Sequence, residues 1–191
     1  MKSRSFQFLA ILLIIVVGYF TWTRHLQVAA KIWHWRNGYT ATMGNYEVPV
    51  PEHWLITDHD SVAYTLMNTA PSWQRNGQFH MASIITIFPF RNRKVGLNGL
   101  DFWLSVSRQR LKDQDVKSVE EKNLNIGDDA AFCIGGTEMR DVILRNVPKA
   151  PDTDIISLEC KSANDLSVLF VGEPSDLQSF YSFVSQIRKI R

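Results

Sequence analysis

The chain has little that dictates a particular chemistry. Its 191 residues hold two cysteines and five histidines. No G-x-S-x-G elbow, P-loop, H-E-x-x-H or C-x-x-C motif occurs, so the local signatures of serine hydrolases, NTPases, zincins and dithiol oxidoreductases are missing. There is no N-x-S/T sequon, internal repeat or low-complexity segment. Excess charge is missing too. The 21 basic and 19 acidic residues leave +2, too little for phosphate contacts with nucleic acid to compete with salt. The densest basic cluster, Arg91-Asn92-Arg93-Lys94, has no interleaved aromatic platform and reads as a solvated turn. No cofactor and no nucleic-acid partner are expected. Charged residues at 21% and hydrophobic ones at 45% give an ordinary globular balance.

What the chain does have is one long apolar run, Phe6 to Trp22 (FQFLAILLIIVVGYFTW). It carries no charge, and Gln7 is its one strongly polar side chain before Thr21. As a helix it spans roughly 25 Å, close to the ~30 Å hydrocarbon core of a bilayer. Lys2 and Arg4 precede it as in a secretory signal, and Val28-Ala29-Ala30 offers a cleavage site. The run is longer than the roughly 7–15 residues usual in a signal, and Arg24 and His25 intervene before the alanines. From Thr23 to Arg36 there is no Gly or Pro, so a helix can continue out of the bilayer unbroken. The expectation is a short tail over 1–5, an uncleaved single-pass anchor over 6–22 and a juxtamembrane linker or helix extension over 23–38. A cleaved signal is the alternative, and a buried helix in a soluble protein the third possibility. Trp22, Trp33 and Trp35 suit either an interfacial belt or a short amphipathic helix packed on the domain.

Charge does not orient the anchor, because Lys2 and Arg4 on one side face Arg24, Lys31 and Arg36 on the other. The cysteines break the tie. Cys133 and Cys160 fall in strand-like runs, AAFCIGG and IISLECK, separated by turn composition around Asn146 to Asp152. A turn centred near residue 147 sets position 133 opposite position 160. A cross-strand disulfide with Cα atoms about 4.4–6.8 Å apart is expected, two buried thiols being the alternative. A bridge together with a signal-like start favours a domain outside the cytoplasm, periplasmic or extracellular.

About 155 residues remain for one domain over 39–191, enough for a real core. Tyr39 to Val50 reads as a strand pair, or one bent strand, around Gly44-Asn45. Short β-rich runs, His53 to Thr57 and Val62 to Met67, flank turn-like Asp58 to Ser61, and HMASIITIF (His80 to Phe88) has the pattern of a central strand. Leu97, Leu100, Trp103, Leu104, Ser107 and Leu111 share a helical face, with Asn98 or Asp101 as candidate cap. Further strands are expected over Val116 to Ile126, Asp129 to Met139, Asp141 to Asn146, Ile155 to Lys161 and Leu166 to Gly172. A closing helix is expected over Ser175 to Ile190, capped by Ser175 with Gln178. The order predicts an α+β fold, a mostly antiparallel sheet covered by two amphipathic helices.

The string Tyr46-Glu47-Val48-Pro49-Val50-Pro51-Glu52-His53-Trp54 resembles the V-P-x-x-W opening of PsbP-like domains. That fold occurs in an extrinsic photosystem II subunit and in a Ran-binding import factor. The resemblance would cover 39–191 and implies a mostly antiparallel sheet lying between helices. Its members bind unrelated partners, so it implies no particular role and no site residue is carried over.

The local sequence offers few candidates for chemistry. His53, Asp58, His59 and Asp60 form the one histidine cluster, but alternate residues of an extended segment point to opposite faces, and turn chemistry accounts for the aspartates. Gly135-Gly136 reads as a bulge or bend within a strand. Glu120-Glu121 and Asp128-Asp129 are adjacent carboxylates expected to face opposite ways or water. Trp73, in the loop Pro71-Ser72-Trp73-Gln74-Arg75, is hard to bury and with Arg75 is a candidate partner contact. The expected role is a membrane-anchored, extracytoplasmic binding or scaffolding module with a protein partner of unknown identity. The alternative is an envelope enzyme whose site assembles His53, His59 and His80 from afar.

Overall fold

The computed structural model describes residues 13–18, 24–59, 63–69, 83–89, 96–114, 116–138, 154–163 and 166–190. Within these, helix α1 (His25–Asn37) leads into ten strands: β1 (Thr40–Met43), β2 (Tyr46–Pro49), β3 (Trp54–His59), β4 (Tyr64–Asn68), β5 (Ile84–Pro89), β6 (Ser118–Ile126), β7 (Asp129–Glu138), β8 (Ile155–Ser162), β9 (Leu166–Gly172) and β10 (Arg188–Lys189). Helix α2 (Gly96–Asp113) separates β5 from β6. A 3₁₀ turn (Pro174–Asp176) and helix α3 (Leu177–Ser185) separate β9 from β10.

Seven strands form one antiparallel sheet in the order β3-β4-β5-β9-β8-β7-β6. It consists of two meanders joined where β5 pairs with β9, and α2 carries the chain from the sheet centre out to the far edge. The remaining strands make a small sheet, β1-β2-β10. Successive residues of a strand point to opposite faces, and β7 shows the division. Ala131 and Cys133 join the main core, whereas Phe132 and Ile134 face α2. The main core fills the space between the large sheet, α3 and the small sheet, with Phe170 stacked on Phe180 at 4.8 Å. On the opposite face α2 sets down Leu100, Leu104, Ser107 and Leu111, all buried. The α+β class with an antiparallel sheet and covering helices is therefore present.

Several local expectations are corrected. The closing helix ends at Ser185 rather than Ile190: Gln186 and Ile187 donate to Phe183 and Val184 carbonyls in a tightened last turn. Ile187 is then fully buried, and Arg188 and Lys189 pair with Glu47 and Tyr46 as an edge strand. Ser175 lies inside the 3₁₀ turn and does not cap α3. Asn98 and Asp101 lie inside α2, so neither is its cap. Asp58 and His59 belong to β3, which absorbs them through a register shift between Ile56 and Asp58. Pairing runs without interruption through Gly135 and Gly136, so no bulge exists there. The Gly44-Asn45 turn does make a two-residue hairpin, with Gly44 at φ +60°, a conformation that glycine adopts at little cost.

The segment 13–18 is helical, and Leu13, Ile14, Ile15, Val16 and Val17 are all exposed, between 56% and 69%. The rest of the expected span lies outside the described residues, among which no helix is long and apolar enough to cross a membrane. Nor does that segment run unbroken into α1. Arg24 has φ −121° and ψ 21°, outside helical values, so α1 starts afresh at His25. The expected strand Asp141 to Asn146 and the turn at Asn146 to Asp152 also lie outside the described residues.

Candidate functional site

A groove of about 620 Å³ opens between α3, the β2–β3 connection and the start of β1, within the ~300–1,000 Å³ range of ligand sites. Its construction follows from local sequence. Pro49-Val50-Pro51 leaves the end of β2, the central strand of the small sheet, and the Val50 N–H donates to the Tyr39 carbonyl at 2.8 Å. Pro51 then begins a turn in which the Trp54 N–H donates back to the Pro51 carbonyl at 2.8 Å. This places the Trp54 and Tyr39 side chains on one wall. Helix α3 presents Ser179, Ser182, Phe183 and Gln186 on the other, spaced as one helical face. Ile85 on β5 contributes to the lining from the core side.

One residue behind the groove holds this arrangement together. The His34 side chain on α1 is 7% exposed. Its Nδ1 lies 2.9 Å from the Gly38 carbonyl, and its Nε2 lies 3.0 Å from that of Pro51 and 3.2 Å from that of Trp54. The ring also stacks on Tyr39 at 4.8 Å. Carbonyl oxygens only accept, so a ring nitrogen that carries a proton donates to the carbonyl it faces. His34 thus ties α1 to both ends of the groove-forming turn. The sequence reading missed it. Its signal is the stripe Ala30, Trp33, His34, in which a polar ring shares the buried face of a helix.

Among the described residues no charged side chain lines the groove. Gln186 Nε2 donates to Ser182 Oγ at 3.2 Å, leaving the wall a mixture of aromatic surface and neutral hydrogen-bonding groups.

The expected site residues distribute as follows. Cys133 and Cys160 form the disulfide, directly opposed across β7 and β8. Their Cα atoms are 3.9 Å apart, closer than the expected range of about 4.4–6.8 Å. The bridge is buried in the main core and does not reach the groove. Trp73, Arg75 and His80 lie outside the described residues. His53 is exposed just before β3 and His59 is its last residue. Six residues of extended chain separate the two by about 20 Å, so the strand does not bring them together. Among the described residues no group of three His, Cys, Asp or Glu side chains could hold a metal ion.

The paired carboxylates do face apart at Glu120-Glu121. Glu121 accepts a two-pronged contact from Arg108 on α2, at 2.8 Å and 2.6 Å, and this hydrogen bonding holds its carboxyl below the usual range. Glu120 lies on the other face, near Tyr181 of α3. The Tyr181 hydroxyl is buried with no hydrogen-bond partner among the described residues, and Lys122 Nζ sits 4.0 Å over the ring. Burial, reinforced by the Glu120 charge, pushes this phenol up to about 12.

No family model matches the chain, and no curated protein matches it. Solved structures offer partial likenesses at low identity. A protein from Bacteroides thetaiotaomicron is 12% identical with a TM-score of 0.44; the match covers 77% of this chain but only 46% of that one. LpqN of Mycobacterium tuberculosis, described as involved in cell envelope biogenesis, is 11% identical with a TM-score of 0.45, covering 80% of this chain and 90% of that one. PA94 of Pseudomonas aeruginosa, a protein of unknown function, is 10% identical with a TM-score of 0.40, covering 77% and 93%. Values this low carry neither a family nor a role to this chain.

Proposed function

We propose that the protein is a membrane-anchored binding module whose domain lies outside the cytoplasm and holds a neutral segment of a partner protein in the groove. The groove itself carries the reading. It is open, about 620 Å³ in volume, walled by Tyr39, Trp54 and Phe183, and lined, among the described residues, by uncharged side chains. The anchor is supported by the uncharged run 6–22 and by the exposed apolar helix over 13–18. The compartment is supported by the buried Cys133–Cys160 bridge, since disulfides persist in oxidising compartments. A sheet with helices on both faces also accords with the PsbP-like resemblance, whose members bind partners rather than share one chemistry.

Gentle solubilisation of membranes followed by site-specific photocrosslinking tests the reading. A crosslinker at Ser182 should capture one recurrent partner, and the same group at Val119, on the α2 face of edge strand β6, should not. Filling the groove with Ser182→Trp should abolish co-purification while the domain stays folded. A monomer without a recurrent partner, or equal capture from both positions, would remove the proposal's support.

A further inference from the structure

We infer that the outward face of α1 is a lipid-contact surface, which lays this helix along a bilayer carrying anionic phospholipids. The inference rests on the anchor reading of residues 6–22 and goes beyond it, because an anchor alone does not say where the domain touches the membrane.

The packing of α1 divides its side chains in two. Ala30 and His34 are buried at 1% and 7%, and Trp33 packs against the main core. These side chains therefore belong to the domain. On the opposite side, Val28, Lys31, Ile32 and Trp35 fall within a sector about 100° wide at 3.6 residues per turn. Ile32 is 45% exposed and Trp35 is 83% exposed. A helix covering a sheet normally turns polar residues outward, yet here isoleucine and tryptophan share the outer face with a lysine. Trp beside a cation on a helix face is the composition of an interfacial helix, whose rings enter the headgroup boundary while its cations meet phosphate. Trp33 and Trp35, two residues apart, thus have separate tasks.

Charge is distributed to match. From Met1 to Tyr46 there are five basic residues and no acidic one. The remainder carries nineteen acidic against sixteen basic residues. Lys31 and Arg36 are exposed on α1, and basic residues beside a membrane span are attracted to anionic headgroups. The backbone permits the pose. The non-helical Arg24 gives α1 a start of its own, so its direction need not follow that of the helical segment 13–18, six positions earlier. The helix can therefore run along the surface while that segment enters the bilayer.

The chain's two cysteines are both in the disulfide, so a single introduced cysteine is labelled uniquely. Full-length protein bearing Trp35→Cys, Ile32→Cys or Val119→Cys, each labelled with the polarity-sensitive dye NBD, is reconstituted into vesicles. One set holds phosphatidylglycerol with phosphatidylcholine, the other phosphatidylcholine alone. At positions 35 and 32 the dye should be blue-shifted and quenched by brominated lipid in the anionic vesicles, and at 119 it should report water. Replacing Lys31 and Arg36 by glutamine should lower the ratio of lipid-contacting to water-exposed label roughly fivefold per cation removed. Protein that floats with vesicles while the label at 35 is as wet as that at 119 overturns the inference and leaves the anchor standing. Equal insertion in both lipid mixtures overturns the role given to the anionic headgroups, and protection at 35 without bromolipid quenching assigns the face to a protein contact instead. Protein that does not float at all removes the anchor, and the inference with it.

Discussion

Among the described residues, Tyr181 departs clearly from ordinary behaviour. Its ring closes the core against β6, where Lys122 covers it, but its hydroxyl is buried with no partner among the described residues. A buried polar group left unpaired costs on the order of 1–3 kcal/mol. Tyr181→Phe removes the hydroxyl and keeps the ring, so the variant should be more stable by about 1 kcal/mol in a urea titration. The phenol also gives a pH signature. Its folded-state value of about 12 lies above the ordinary 10, so the native state resists ionisation. The contribution is fully present below pH 10 and fades as pH rises towards 12, because unfolding then releases a proton. Wild-type stability should fall across that window more steeply than that of Tyr181→Phe; parallel curves would show that another group is responsible.

At the scale of elements, β7 is the most constrained strand. It pairs on both sides over its length, and a Cβ at Gly135 would meet the Ser157 carbonyl oxygen, with Leu158 Cα at 2.6 Å. Both obstacles are backbone, which cannot rotate away. Gly135→Ala should therefore destabilise by roughly 1–3 kcal/mol or more, although it gains β propensity, and a melting curve shows the sign directly. The sequence exposed the pattern around this glycine but not its reason. Alternating apolar residues marked the strands, and period-3.6 spacing marked α2 almost to its ends, because burial of one face imposes that periodicity. The register of Cys133 against Cys160 was equally legible, since a turn centre determines every pair beyond it. Chain ends and turns were not. Arg188 and Lys189 carry nothing that distinguishes a last helical turn from an edge strand, and the decision falls to Ile187, which fills core space, and to the free edge offered by Glu47 and Tyr46. The groove was illegible for the same reason. Tyr39, Trp54 and Ser182 are far apart in sequence, and only tertiary packing makes them neighbours.

For the whole molecule, the disulfide joins residues 27 positions apart across β7 and β8, towards the β6 edge of the large sheet. Closing a loop of that size restricts the unfolded chain by about 3.5 kcal/mol in the entropic picture. Reduced protein, or the Cys133→Ala/Cys160→Ala variant, should unfold at correspondingly lower urea concentration; an unchanged midpoint would place the bridge's effect elsewhere. The seating of α1 has a further consequence for the molecule as a device. A flexible segment of thirteen residues would have a root-mean-square reach of about 20 Å, and the same residues as a helix are also about 20 Å long. Distance is therefore the same in both cases, and direction is what changes. Because His34, Trp33 and Ala30 bolt the helix to the domain, the domain keeps one heading relative to residue 25 instead of sampling a sphere. On the proposed reading, with α1 laid on the bilayer and a partner taken up in the groove, that partner would meet the groove at a constant bearing and begin with most of its orientational search already done.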